Sequence, residues 1–210
     1  MIKYFKEKKE NEMIGNLLSK EPREQMLAKI TALQNEISVA FNTKVLVITS
    51  IGEDKLAAAF AKAFVGAYET NNSNALLIDA NLYNPCLSEL MGGKVQGPAK
   101  SEKPEEVALD ILPLGNKNGV VCMEKEVYPS DIYKSGVIQK LVSDNMEKYE
   151  HIVVLMPSIL EHREVLIFKD LLDSVMVVAR RAVTKKRDIF EALSFLSDAQ
   201  MPVSKTVILK

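Results

Sequence analysis

The stretch Lys44–Pro85 constrains the fold more than any other. It reads as an apolar run, KVLVITS, then a short polar loop, IGED. An alanine-rich segment, KLAAAFAKAFVGAY, follows, and then a second apolar run within NALLIDANLYNP. Val45, Leu46, Val47 and Ile48 are continuous rather than alternating, which predicts a parallel strand covered on both faces. The alanines of Lys55–Tyr68 favour a helix and let it sit close to a sheet. Ala75–Ile78 predicts a second strand, ending in Asp79. A helix that joins two parallel strands crosses over right-handed. The Ile51–Asp54 loop and Asp79 are therefore both expected at the carboxyl edge of the sheet, where such sheets bind ligands.

This strand-loop-helix layout is that of a phosphate-binding P-loop, whose motif is G-x-x-x-x-G-K-[ST]. The glycines turn backbone N–H groups toward phosphate, the lysine neutralises charge, and the hydroxyl holds magnesium. Here the loop reads Ser50-Ile51-Gly52-Glu53-Asp54-Lys55-Leu56-Ala57. One glycine, Gly52, and the lysine, Lys55, remain. Asp54 stands in place of the glycine before the lysine. Leu56 and Ala57 stand where a hydroxyl is needed, and the loop is too short for the full motif. Gly52, Lys55 and Asp79 are the candidate residues of a vestigial phosphate and magnesium site. The alternative readings are a solvated lysine in the first turn of a helix and a strand-end acid that caps a turn.

The segment Leu76-Leu77-Ile78-Asp79-Ala80-Asn81-Leu82-Tyr83-Asn84-Pro85-Cys86-Leu87 resembles an acidic motif of the bacterial tyrosine kinases and their CpsD/CapB-like relatives. Those kinases belong to the MinD/ParA group of P-loop ATPases and act in capsule and exopolysaccharide assembly. Asp79, Pro85 and Leu87 match the motif. Asn81 replaces its second aspartate, and Tyr83-Asn84 replaces its basic pair. Tyr149–Ser158, YEHIVVLMPS, resembles the family's Walker B strand, with Pro157 kept and Leu155 in place of the aspartate that holds magnesium through water. A leucine offers no oxygen to a hard cation. The family's helix before the first strand carries an E-x-x-R-x-x-R motif for ring assembly. Ala28, Thr31 and Gln34 fall on those positions, so that ring is not expected here. Lys210 stands where the family often places an asparagine near adenine. The family's C-terminal tyrosine cluster has no counterpart, and the six tyrosines are scattered.

The rest of the chain sets bounds. Its 210 residues suit a flexible tail over 1–20 and a single P-loop-ATPase-like domain over 21–210. With 27 basic and 28 acidic residues it has no broad nucleic-acid footprint. Cys86, Cys122 and two histidines form no metal-ligand pattern, and the cysteines are expected as reduced thiols of a cytoplasmic protein. His151 and His162 are expected at the surface. No apolar run approaches the ~20 residues needed to span a bilayer. The charged start MIKYFKEKKENEM, with Lys3, Lys6, Lys8 and Lys9, is not a signal peptide; it reads as a solvated tail, with acidic lipid as its alternative partner.

Further elements are expected in order. Pro22 opens a helix with a stripe of Leu27, Ile30, Leu33, Ile37 and Phe41. Gly92-Gly93 to Glu106, with Gly97, Pro98 and Pro104, reads as a loop. A short strand is expected over Val107–Leu112 and an irregular stretch over Asn116–Tyr128. A helix follows from Pro129, capped by Ser130 or Asp131, and continues through Ile138, Leu141, Val142 and Met146. Helices are expected over Glu161–Leu172 and Lys185–Ala199, the latter with Ile189, Leu193 and Leu196 inward. The main strands are Lys44–Thr49, Ala75–Asp79, Ile152–Leu155, Ser174–Ala179 and Val203–Leu209. Arg180, Arg181, Lys185, Lys186 and Arg187 form a basic cluster, read as a solvated face or as a contact for an acidic partner or phosphate.

The fold class expected is α/β, a doubly wound, mainly parallel sheet of the P-loop NTPase type with an N-terminal helix. The resemblance implies a pseudokinase-like regulatory protein of polysaccharide export with no catalytic residue, no metal and no cofactor. It implies a cytoplasmic protein held at the membrane through a partner, either a membrane-spanning chain-length regulator or a kinase relative. Nucleic acid and direct membrane insertion are not expected. Two rivals stand beside this reading. One is a divergent active tyrosine kinase or ATPase that uses ATP and magnesium through Lys55 and Asp79. The other is a MinD/ParA-like positioning factor.

Overall fold

A computed structural model describes residues 23–92, 110–123 and 128–210. The expected tail, Pro22 and the loop from Gly93 to Glu106 lie outside those residues. At the centre is β1 (Val45–Ser50), buried along its whole length and paired in parallel on both sides. Its neighbours are β5 (His151–Leu155) and β6 (Ser174–Arg180). β2 (Ala75–Asp79) lies beyond β5, and β7 (Val203–Leu209) beyond β6. β4 (Asn118–Cys122) pairs in parallel with β2, and β3 (Leu112–Leu114) closes that edge antiparallel to β4. The seven-stranded order is β3-β4-β2-β5-β1-β6-β7. This is the expected doubly wound, mainly parallel sheet.

Period-two alternation along each strand feeds two separate cores. Leu46, Ile48, Leu77, Val153, Leu155, Met176 and Val178 face one side. There they meet α2 (Asp54–Tyr68), with α1 (Arg23–Phe41) packed against it. Val45, Val47, Leu76, Ile78, Val154 and Val177 face the other side. That core is covered by α4 (Pro129–Ser135), α5 (Val137–Asn145) and α6 (Lys186–Asp198). Ala57, Ala58, Ala59 and Ala61 of α2 are essentially inaccessible, which confirms the close helix–sheet approach that the alanines imply. The start of β1 is pinned by Asp173, whose carboxylate accepts from Lys44 N at 2.8 Å and Val45 N at 2.7 Å.

Several local expectations are corrected. A strand, β4, occupies part of the stretch expected to be irregular. Gly119 disguises it, because its bare backbone reads as a breaker. The neighbouring short strand is Leu112–Leu114 rather than 107–112, and residues 107–109 lie outside the described residues. The helix from Pro129 breaks at Gly136, whose φ of +76° suits glycine, so it forms α4 and α5. Neither Ser130 nor Asp131 caps it; Tyr128 is the capping residue and makes no side-chain bond. Residues 161–172 form tight turns and a 3-10 helix at Glu164–Phe168 rather than an α-helix. Val165 and Phe168 are three residues apart, a spacing that a 3-10 turn serves as well as an α-turn. On α1, Ile30 and Ile37 are buried, while Phe41 is exposed.

Gly119 and Gly66 should respond oppositely to a side chain. A Cβ at Gly119 would lie 2.5 Å from the Tyr149 hydroxyl and 2.7 Å from Ile111 Cγ2. Gly119→Val should cost about 1–3 kcal/mol in urea unfolding. Gly66, in α2, has open space at the same point, and Gly66→Ala should add about 0.5–1 kcal/mol.

Candidate functional site

The β1–α2 loop satisfies itself. Gly52 has φ +71°, and no heavy atom lies within 4 Å of where a Cβ would be, so glycine serves the turn and not a close approach. Its N–H donates to Ser158 Oγ at 3.0 Å, just beyond the end of β5. Ser50 Oγ donates to Asp54 Oδ1 at 2.8 Å and accepts from Glu53 N at 3.4 Å. Asn84 Nδ2 donates to the other Asp54 oxygen at 3.3 Å. The Asp54 carboxylate is thus fixed in the first turn of α2, where the helix dipole favours negative charge. In a P-loop that position belongs to phosphate.

Lys55 turns to a different partner. Its Nζ lies 2.9 Å from Glu89 Oε2, and both side chains are about two-thirds exposed. The hydrogen bond to Glu89 raises the lysine's pKa. Arg180 Nη1 lies 3.5 Å from Glu53 Oε2. A cleft of ≈ 540 Å³ opens beside this loop. Glu53, Asp54 and Glu161 line it together with Lys55, Arg180 and Lys210. Acids and bases are therefore balanced in number around the space.

Asp79 is fully buried at the end of β2. Its Oδ2 accepts from Cys86 N at 3.1 Å and Leu87 N at 2.9 Å, and its Oδ1 from Asn81 N at 3.2 Å. It therefore caps α3 (Leu87–Leu90) and turns toward its own chain. Burial raises its pKa to about 7 against the lowering effect of those N–H groups. Asn81 Oδ1 accepts from Asn84 N at 3.0 Å, which closes the turn that follows. At the end of β5, Leu155 is buried in the apolar cluster beneath α2. Among the described residues, no cluster of histidine, cysteine and acid side chains could hold a metal.

Of the sequence-derived candidates, Gly52 and Lys55 share the cleft, and Asp79 does not line it. Asn84 and Ser158, which lie inside the two motif-like stretches but off their matching positions, and Glu89, outside both, complete the loop's bonding. The histidines are not free at the surface. His151 stacks on Tyr68 at 4.0 Å, and burial lowers its pKa. His162 stacks on Tyr83 at 3.6 Å, and the Tyr83 hydroxyl bonds Glu164. Burial pushes both cysteine thiols up to about 12, so they stay protonated near neutral pH. No described helix is long and apolar enough to cross a membrane.

Neither a protein-family profile nor a curated protein matches the chain. Solved structures do match. The kinase domain of the Escherichia coli tyrosine kinase ETK superimposes with a TM-score of 0.77 at 16% identity, over 87% of this chain and 74% of that one. The fold is that of a bacterial tyrosine kinase domain. The chimerical protein CapA2B2 gives a TM-score of 0.76 at 14% identity, over 86% and 83% of the two chains. The MinC:MinD cell division protein complex of Aquifex aeolicus gives 0.59 at 17% identity, over 79% and 68%. The fold is therefore that of the kinase domain, and the MinD structure shares its architecture over 79% of this chain.

Asp79 makes stability depend on pH with a definite sign. Its folded pKa lies above the ordinary carboxylate value of 3.8 and reaches about 7. Its contribution is fully present below the unfolded value and is lost as pH rises through the folded one. Asp79→Asn keeps one oxygen for Cys86 and Leu87. The stability difference between parent and this variant should shift in the variant's favour from about pH 4 to about pH 7. Asp79→Ala keeps no acceptor and should cost about 1–3 kcal/mol throughout. Urea titrations across that range check both.

Proposed function

We propose that this chain is a non-catalytic member of the CpsD/CapB-like tyrosine kinase family, a pseudokinase that works by binding in polysaccharide assembly. The observation that carries the reading is the Asp54 carboxylate, held by Ser50 and Asn84 at the N-terminus of α2. Two like charges ~4 Å apart at an effective dielectric of ~20 repel by about 4 kcal/mol. Micromolar binding is worth only about 8 kcal/mol in all. Phosphoryl transfer rests on positioning and charge neutralisation by loop, lysine and magnesium. Here the Gly52 N–H is engaged by Ser158, Lys55 by Glu89, and Leu155 gives magnesium's water no acceptor. These residues do not fit a magnesium nucleotide.

The family resemblance supplies the partner in this reading, a membrane-spanning chain-length regulator or a kinase relative that holds the chain at the membrane. Fold neighbours that act in complexes, such as MinD with MinC, support protein partnering in general. Self-assembly by the family's ring motif does not fit α1. Ala28 is exposed, Thr31 is half-buried, and Gln34 is buried, its amide donating to Phe64 O at 2.6 Å. The third ring position therefore faces the chain's own α2.

Calorimetry with magnesium–ATP should show no micromolar binding, and labelled ATP should leave no phosphotyrosine on the protein. Saturable micromolar binding that disappears in Lys55→Ala would falsify the pseudokinase reading and favour the divergent kinase. Light scattering of the isolated protein should show no octamer; a stable octamer would mean that another contact builds the ring.

A further inference from the structure

The basic cluster after β6 is not simply a solvated face. Arg180, Arg181, Lys185, Lys186 and Arg187 fall within eight residues, against Asp188 and Glu191 nearby. Arg181, Lys185 and Lys186 are all exposed. Two large apolar side chains stand among them. Val183 is 56% exposed, and Phe190, in the second turn of α6, is 73% exposed. Elsewhere in α6 the apolar residues obey the core: Ala192 and Leu196 are buried, and Ile189 and Leu193 pack against the same cluster. The helix therefore has its core stripe already, and Phe190 lies outside it.

The turn that carries Val183 is held in shape. Arg181 N donates to Leu209 O at 2.7 Å, and Thr184 N to Arg180 O at 2.9 Å. Arg180 N donates in return to Thr184 Oγ1 at 2.9 Å. Ala182 adopts a φ of +63°, which a residue with a side chain rarely takes. This bonding fixes the turn without burying Val183. Arg187 is paired with Asp188 at 3.5 Å and Arg180 with Glu53. That leaves Arg181, Lys185 and Lys186 as the exposed cations of the segment that carries Val183 and Phe190. An interfacial contact uses both the charge and the apolar side chains.

We propose that the β6–α6 turn and the first two turns of α6 form a docking surface for an anionic lipid bilayer. The cations meet phosphate headgroups, and Val183 and Phe190 enter the headgroup–acyl boundary. The groove beside Phe190 is lined by Glu191 and Asp198 as well as Arg187, which disfavours an acidic peptide laid along it, whereas a bilayer meets the exposed Arg181, Lys185 and Lys186 and need not enter the groove. Duplex DNA would answer the cations and gain little from two apolar side chains. Arg180 is held by Glu53 of the β1–α2 loop, so the surface adjoins that loop and rests on Arg181, Lys185 and Lys186.

The test is co-sedimentation of the full chain with vesicles of equal parts phosphatidylglycerol and phosphatidylcholine, against phosphatidylcholine alone. Binding is expected on the anionic vesicles only, falling as salt is raised. Lys185→Glu with Lys186→Glu changes four units of charge and should weaken it by roughly several hundredfold, at about fivefold per unit. Lys117→Glu, just before β4 and separated from β6 by β2, β5 and β1, should leave it within about twofold of the parent near physiological salt, where the Debye length is about 8 Å. The chain has no tryptophan, so Phe190→Trp gives a single reporter whose emission should shift to the blue on the anionic vesicles. Circular dichroism confirms that each variant is folded. No sedimentation at low salt overturns the proposal, as does binding indifferent to the Lys185/Lys186 reversal. Bound protein with unshifted tryptophan emission also overturns it, and so does charge-dependent binding to duplex DNA in the absence of vesicle binding.

Discussion

A strand buried on both faces leaves no side chain free for solvent, and β1 is such a strand. Everything else follows from covering it. Leu46 and Ile48 require a helix on one side, and Val45 and Val47 require helices on the other. Parallel neighbours at β5 and β6 complete its hydrogen bonding. Crossover helices then place every parallel strand end at one edge, so the β1–α2 loop, Asp79, Leu155 and Arg180 are brought to the same rim. The site is a consequence of that burial, whatever chemistry its residues can or cannot perform.

At that rim, polar groups that could meet a ligand meet one another. Ser50, Asp54 and Asn84 form one connected set, and Ser158 joins the loop through Gly52 N. Asp79 turns inward to three backbone N–H groups. An internal carboxylate at a helix start gives the stabilisation that a bound anion would otherwise give. The loop is in this sense complete without a ligand. That state suits the binding role proposed above.

The sequence made most of the sheet legible because β1, β2, β5 and β6 carry apolar runs of four or more residues, as strands covered on both faces do. β4 escaped because NGVVC is short and begins with turn-forming residues. Gly119 is there to admit Tyr149 and Ile111 from neighbouring segments, a contact between distant parts of the chain that no local pattern records. Residues 161–172 misled for a related reason: spacings of three and four do not separate a 3-10 turn from an α-helix. In the site, the positions of Gly52, Lys55, Asp79 and Leu155 could be read from spacing. Their partners could not. The pairing of Lys55 with Glu89 spans two elements, and that of Gly52 with Ser158 joins loops 106 residues apart.

The two cores share strands but divide their side chains between them. A change at Leu46 is felt by α2, and a change at Val47 is felt by the layer that includes α6. Energetic effects of residues that share no partners are close to additive. The two sides of this protein can therefore drift at separate rates. They remain joined at the rim, where Ile51 of the loop packs into the core beneath α6 and Arg180 meets Glu53, so the loop and the turn before α6 must change together.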